Sequence, residues 1–283
     1  MKSNLFKFLI AGFAGVALVS CDGENPFGGE SEAEAKLSEY YINTEAAANT
    51  IFTYVDLSCR DSSLTNDGDT VNINGAIVSL SSGTITVDFG TGTLGPDNAV
   101  RKGSISFAKP SDYLANGTIV DATLNNYFKD DKSLSGSIKL SVENIDFFAQ
   151  EVSLGLEVNN LTFNDEFKLS IDKQIDWNLG FFSFTDLSDD SYSVSGTASG
   201  EEIATGYIIT TTIDPTEALF YDRTCEYGMV SGIIDISLVG DSLSFTSGAI
   251  DFIAADTCSN VATITLNGTE GQSVTIPQTF DSF

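Results

Sequence analysis

Ser137-Ile138-Lys139-Leu140-Ser141-Val142 alternates polar and apolar residues without a break. A period of two puts Ile138, Leu140 and Val142 on one face of a β-strand and their polar neighbours on the other. The same texture recurs on both sides of this stretch. Short segments rich in Ile, Val, Thr, Ser and Phe run over 83–89, 102–107, 118–127, 134–142, 152–158, 161–171, 207–213, 230–238, 243–252 and 261–266. Their joints carry Asn116-Gly117, Ser135-Gly136, Gly240-Asp241 and Asn267-Gly268, residues that accept the positive φ of tight turns. No stretch between them is long and periodic enough for the crossover helices of a parallel sheet. The expected fold is therefore all-β, an antiparallel meander forming a sandwich or a curled sheet.

One exception precedes the strands. Over 40–57, Asn43 or Thr44 suits an N-cap, Ala46 to Ala48 favours helix, and Ala47, Ile51, Val55 and Cys59 recur every four residues, which predicts one short N-terminal helix. The β domain is expected over 41–283, either as one unit or as two subdomains with a break near 145.

Composition closes several functional doors. The 283 residues include no His, so no His-dependent triad, His metal site or histidine pH switch exists. With 40 acidic and 13 basic residues the net charge is −27, and phosphate backbones would repel such a chain, so no nucleic-acid partner is expected. Apolar residues at 42% are sufficient for a core.

The first 20 residues read as a lipoprotein signal peptide: Lys2 and Lys7, then the apolar run Phe8 to Val19, then small Ser20 before Cys21. The run is shorter than the roughly 20 residues a transmembrane helix needs. Leu18-Val19-Ser20-Cys21 resembles the lipobox of bacterial lipoproteins, which implies acylation of the Cys21 thiol and contact with a membrane through that lipid. Two or three chains would hold the protein at roughly 0.8 kcal/mol per buried methylene. Residues 21–40 mix Asp22, Glu24, Glu30, Glu32, Glu34 and Glu39 with Gly and Pro, and so read as an acidic solvated tether. Asp22 and Glu24 resemble the acidic export signal of Bacteroidota surface lipoproteins, interrupted here by Gly23. The expected location is the outer membrane, facing the cell surface in preference to the periplasm.

An internal echo runs through the body. Cys59, Gly83, Asp88-Phe89 and Leu94 are followed at similar spacing by Cys225, Gly248, Asp251-Phe252 and Cys258, as if one unit were duplicated. Ile85 to Gly90, Arg101 to Ile105, Asp176-Trp177-Asn178 and Thr263 to Gly268 resemble a family of β-rich, secreted Bacteroidota lipoproteins. The resemblance covers most of 40–270 and implies a surface-type lipoprotein with β structure. It brings no activity, because its motifs are strand and turn text. Members often carry a Cys near the position of Leu94, so Leu94 is a departure that puts any Cys59 bridge in doubt. With Cys21 lipidated in an oxidising compartment, three cysteines remain, and the echo pairs Cys225 with Cys258 and leaves Cys59 a thiol.

The remaining motifs read blandly. Gly240-Asp241-Ser242-Leu243 spells an esterase signature, but its Ser has no His to activate it, and a hairpin turn is the better reading. Asn66-Asp67-Gly68-Asp69 offers oxygen ligands for calcium through Asp67 and Asp69, yet lacks the closing Glu of an EF-hand loop, so a plain turn is expected and no metal. Asp130-Asp131 and Asp189-Asp190 read as solvated loops. Trp177, Phe181, Phe182 and Phe184 offer a sugar-stacking platform or, more ordinarily, core. Asp69-Thr70-Val71 and Asp241-Ser242-Leu243 look like short O-glycosylation acceptors. The expected function is non-catalytic, with no cofactor: a cell-envelope lipoprotein displaying a β module to a glycan, a protein partner or neighbouring copies. The alternative is a carboxylate-dependent hydrolase acting on surface polysaccharide.

Overall fold

A computed structural model describes residues 32–95, 99–146, 148–179, 190–222, 229–241, 243, 246–252, 261–266 and 269–275. Helix α1 spans Glu32–Arg60, and a 16-stranded antiparallel sheet follows it. Its strands are β1 (Thr70–Ile73), β2 (Ala76–Ser81), β3 (Thr84–Leu94), β4 (Val100–Ala108), β5 (Ile119–Lys129), β6 (Lys132–Ser135), β7 (Ser137–Asp146) and β8 (Glu151–Phe163). They continue as β9 (Phe167–Asn178), β10 (Ser191–Glu202), β11 (Ile208–Ile213), β12 (Leu219–Asp222), β13 (Met229–Val239), β14 (Ser247–Phe252), β15 (Val261–Leu266) and β16 (Thr269–Thr275). Strands that follow one another in sequence are almost always hydrogen-bonded neighbours, so the all-β meander expected from the alternation is what forms.

Turn chemistry sets the register at one end. Asn74-Gly75, Ser82-Gly83 and Asp130-Asp131 each take positive φ at both positions, which is the type I′ geometry whose twist matches the strands it joins. Ser135-Gly136 does something else. Gly136, at φ 133°, lies between β6 and β7, which both pair with β5 and β8, so it kinks one long strand instead of reversing it. The segment expected over 161–171 is likewise two strands, divided by Asn164 and Asp165 in left-handed conformation. The sheet runs on through residue 145, where Ile145 of β7 pairs with Val152 of β8. The echo is not reproduced in place, since Gly83 sits in a turn and Gly248 lies inside β14.

The helix is 29 residues long and begins at Glu32, so 32–40 belong to it and not to a solvated tether. Leu37 and Tyr41 are fully buried, which is why this end of the acidic stretch orders itself. Arg60 in the last turn suits the helix dipole. All nine residues from Thr44 to Phe52 are buried, and a helix covered on every side has no solvent face. What covers it comes from far-apart strands. Tyr54 donates to the Asn74 carbonyl at 3.2 Å in the β1–β2 turn and meets Phe89 of β3 edge-on at 4.9 Å, while the Tyr41 and Thr211 hydroxyls share a 2.6 Å bond at β11. The sheet is curled around α1. Burying each of Ile51, Phe52 and Val55 contributes roughly 1.5–3 kcal/mol.

Thr44, Thr50, Thr53 and Ser58 bond back to carbonyls four residues earlier at 2.6 to 2.9 Å, which lets hydroxyls sit on a covered helix. Gly200 of β10 has its own reason. A Cβ there would lie 2.0 Å from the Phe167 ring, which fills the space and stacks on Tyr40 at 5.8 Å. No helix among the described residues is long and apolar enough to cross a membrane.

Candidate functional site

Three polar clusters connect α1 to its sheet. At mid-helix, Glu45 Oε1 contacts the Lys173 ammonium from β9, and both side chains are buried. Burial first, and then the charge of Glu45, pushes the Tyr41 phenol well above its usual pKa, and the same two causes raise Tyr221.

At the C-terminal end, Asp56 holds Arg60 through Oδ2 and accepts from the Tyr113 hydroxyl at 2.9 Å through Oδ1. The Arg60 guanidinium sits 5.3 Å from the Trp177 ring centroid, a cation–π distance. Trp177 donates its indole N–H to Asp190 at 2.8 Å and stacks on Tyr192, whose hydroxyl also reaches Asp190 at 3.3 Å. Burial opposes the charge on Arg60, but Asp56 outweighs it and holds the guanidinium above its ordinary pKa. At the N-terminal end, Lys36 bonds Glu202 at 2.6 Å and Tyr40 donates to Glu166 at 3.0 Å. Every one of these carboxylates has a donor in the fold, and together they fasten the helix.

The outer face of the sheet is different. Residues directly opposite one another form a row from β5 to β13: Asp121, Lys139, Glu157, Asp172, Thr197, Thr212 and Asp235. A neighbouring row is wholly hydroxylic, with Ser170, Ser199, Thr210, Ser237 and Ser247. Since α1 fills the inner side, these rows are what the middle of the sheet presents to solvent.

The residues singled out from sequence fall into three groups. Cys21, Cys225, Cys258, Phe181, Phe182, Phe184, Asp189 and Ser242 lie outside the described residues, so the lipid site and the proposed bridge rest on sequence alone. Others have plain structural duties. Asp69 Oδ2 accepts from the Thr65 and Asn66 amides at 2.8 and 2.6 Å, and these bonds hold its carboxyl below the usual range. Among the described residues no group of three or more His, Cys, Asp or Glu side chains is placed to hold a metal ion, and Asp67 and Asp69 are part of none. Gly240 accepts from the Leu243 amide at 3.5 Å in the turn between β13 and β14. Asp130 caps the Val100 amide at 2.8 Å and Asp131 pairs with Lys102 at 2.5 Å, both at the surface.

The third group is wholly or partly buried; Asp190 corrects the reading, whereas Trp177 in the core and Cys59 as a thiol agree with it. Asp190 is fully buried, not in a solvated loop, because Trp177 and Tyr192 bond it. Trp177 is core, which leaves no ring face for a sugar. Cys59 is a free thiol, half-buried, and burial with the nearby Asp56 charge pushes its pKa far up, so it is a poor nucleophile. Glu45, Lys173 and Arg60 were not singled out by any motif; the one available signal was an acid, Glu45, beside the alanines that mark the most buried turn of the helix. Compared with protein-family models, curated proteins and solved structures, the chain matches none.

Proposed function

We propose that this chain is a non-catalytic cell-envelope lipoprotein, held at the outer membrane by lipid on Cys21, that displays the outer face of its sheet to a glycan, a protein partner or neighbouring copies. The observation that carries this reading is the completely covered stretch Thr44 to Phe52. A curled sheet whose concavity is filled by its own helix offers ligands its outside, and here that outside is a lattice of hydroxyls and carboxylates. Such groups make many weak polar contacts at strand spacing, the kind a repeating sugar chain or another polar surface provides. The acidic tether and the lipobox-like Leu18 to Cys21 support the anchorage.

The test has two arms. Mass spectrometry of membrane-extracted protein should show acyl chains on Cys21, and Cys21→Ala should leave the membrane fraction. On a glycan array and with intact cells, Thr197→Lys with Thr212→Lys should weaken binding at least tenfold while leaving the circular dichroism unchanged. Release of reducing ends from a surface polysaccharide, lost when a carboxylate is removed, would overturn the non-catalytic reading.

A further inference from the structure

Among the described residues, Glu45 and Lys173 are the only charged pair with both side chains under a tenth exposed. Both side chains are almost sealed from water, one from the middle of α1 and one from β9. The ammonium touches Oε1, while Oε2 accepts no hydrogen bond among the described residues. A buried carboxylate normally fills its remaining acceptor sites, because an unsatisfied one keeps its full desolvation cost. The Tyr41 hydroxyl, bonded to Thr211 at 2.6 Å, lies within interaction range of the same carboxyl. The Lys173 ammonium is thus held against the Glu45 carboxyl group where water is excluded, with the Tyr41 hydroxyl in interaction range of that carboxyl. Fixed proximity of this kind is what makes intramolecular condensation fast.

We propose that Lys173 and Glu45 join through an amide, Nζ to Cδ, tying α1 covalently to β9. One proton passes from the ammonium to the carboxylate, giving a neutral amine and a neutral acid. The Nζ lone pair forms the N–C bond, a Cδ–O bond breaks, and the departing oxygen leaves as water with the proton shed by nitrogen. The products are one amide and one water, so no oxidant or activating reagent enters. The amide removes both buried charges and the unsatisfied carboxylate. Any pull on the chain before α1 then enters the sheet through a covalent bond at β9. The inference is independent of what the outer face binds.

Intact-mass measurement of the full chain, followed by trypsin digestion, tests it. The expected mass is below the sequence mass by one water, about 18 Da, after any N-terminal processing is accounted for. Because an acylated Lys173 resists trypsin, residues 37–60 should appear joined to residues 169–223 as one branched peptide. Lys173→Arg keeps the positive charge and should show the full mass and separate peptides. Wild-type protein at full mass and cleaved after Lys173 overturns the proposal, and so does a water loss that maps elsewhere. Both readings are made on the wild-type chain, so they stand whether or not the variant folds.

Discussion

Two Lys–Glu contacts occupy opposite faces of one sheet. Lys139 and Glu157 sit opposite each other on β7 and β8 with side chains 38% and 40% exposed, while Lys173 and Glu45 are 6% and 5% exposed. The residue types are the same and the surroundings are not. Outside, water solvates each partner alone nearly as well as the pair, and salt screens what attraction remains. Inside, water is excluded and cannot replace either partner. Solvation, not the identity of the pair, decides what each contact does for the fold.

The largest expected effect breaks the inner contact. Lys173→Ala removes the tie to β9 and leaves Glu45 buried and unmatched, and should cost about 3–5 kcal/mol or more in urea unfolding. A loss below 1 kcal/mol would show that water reaches Glu45 and that the two faces are alike. Next comes the C-terminal cluster. Trp177→Phe keeps the ring but removes the donor to buried Asp190, and should cost about 1–3 kcal/mol by the same measurement.

A smaller effect is read through pH. The Asp69 carboxyl lies below its ordinary value of 3.8 because backbone amides favour its charged form. Its contribution is therefore complete above about that ordinary value and fades as pH falls through the lower folded value. Asp69→Asn should lower the neutral melting temperature slightly and flatten the acid limb of a thermal-melt series, the two proteins converging below pH 3.8. The smallest effect sharpens the contrast from outside: Lys139→Ala should leave the urea midpoint within experimental error of wild type.

Legibility follows from the same distinction between local and distant causes. β5 and β7 alternate in their own sequence, so neighbours two residues away declare them. β10 does not, because Ser191–Glu202 is mostly Ser, Gly and Thr with Val194 and Ala198 as its only aliphatic side chains. Its inward positions are small because Phe167 lies against Gly200, a requirement set by another strand. β1 and β2 flank Asn74-Gly75, a hairpin signal that lies among polar residues which equally suit a calcium loop. The helix was placed by its alanines, and its extension to Glu32 was hidden by acids that flank Leu37. The polar clusters were illegible for a simpler reason. Glu45 and Lys173 are 128 positions apart, and an acid on a helix is by default a solvated one.

The covered helix also sets an order of events for a newly made chain. α1 is synthesised before every strand, yet Tyr41 finds its partner at Thr211, 170 positions later. Isolated, such a helix keeps little structure in water, since most of its stability comes from packing. The earliest described element is thus among the last to be fixed, and contacts of this span belong to slow-folding topologies. Pulse-labelled hydrogen exchange during refolding should find the amides of β7 to β9 protected before those of Thr44 to Phe52.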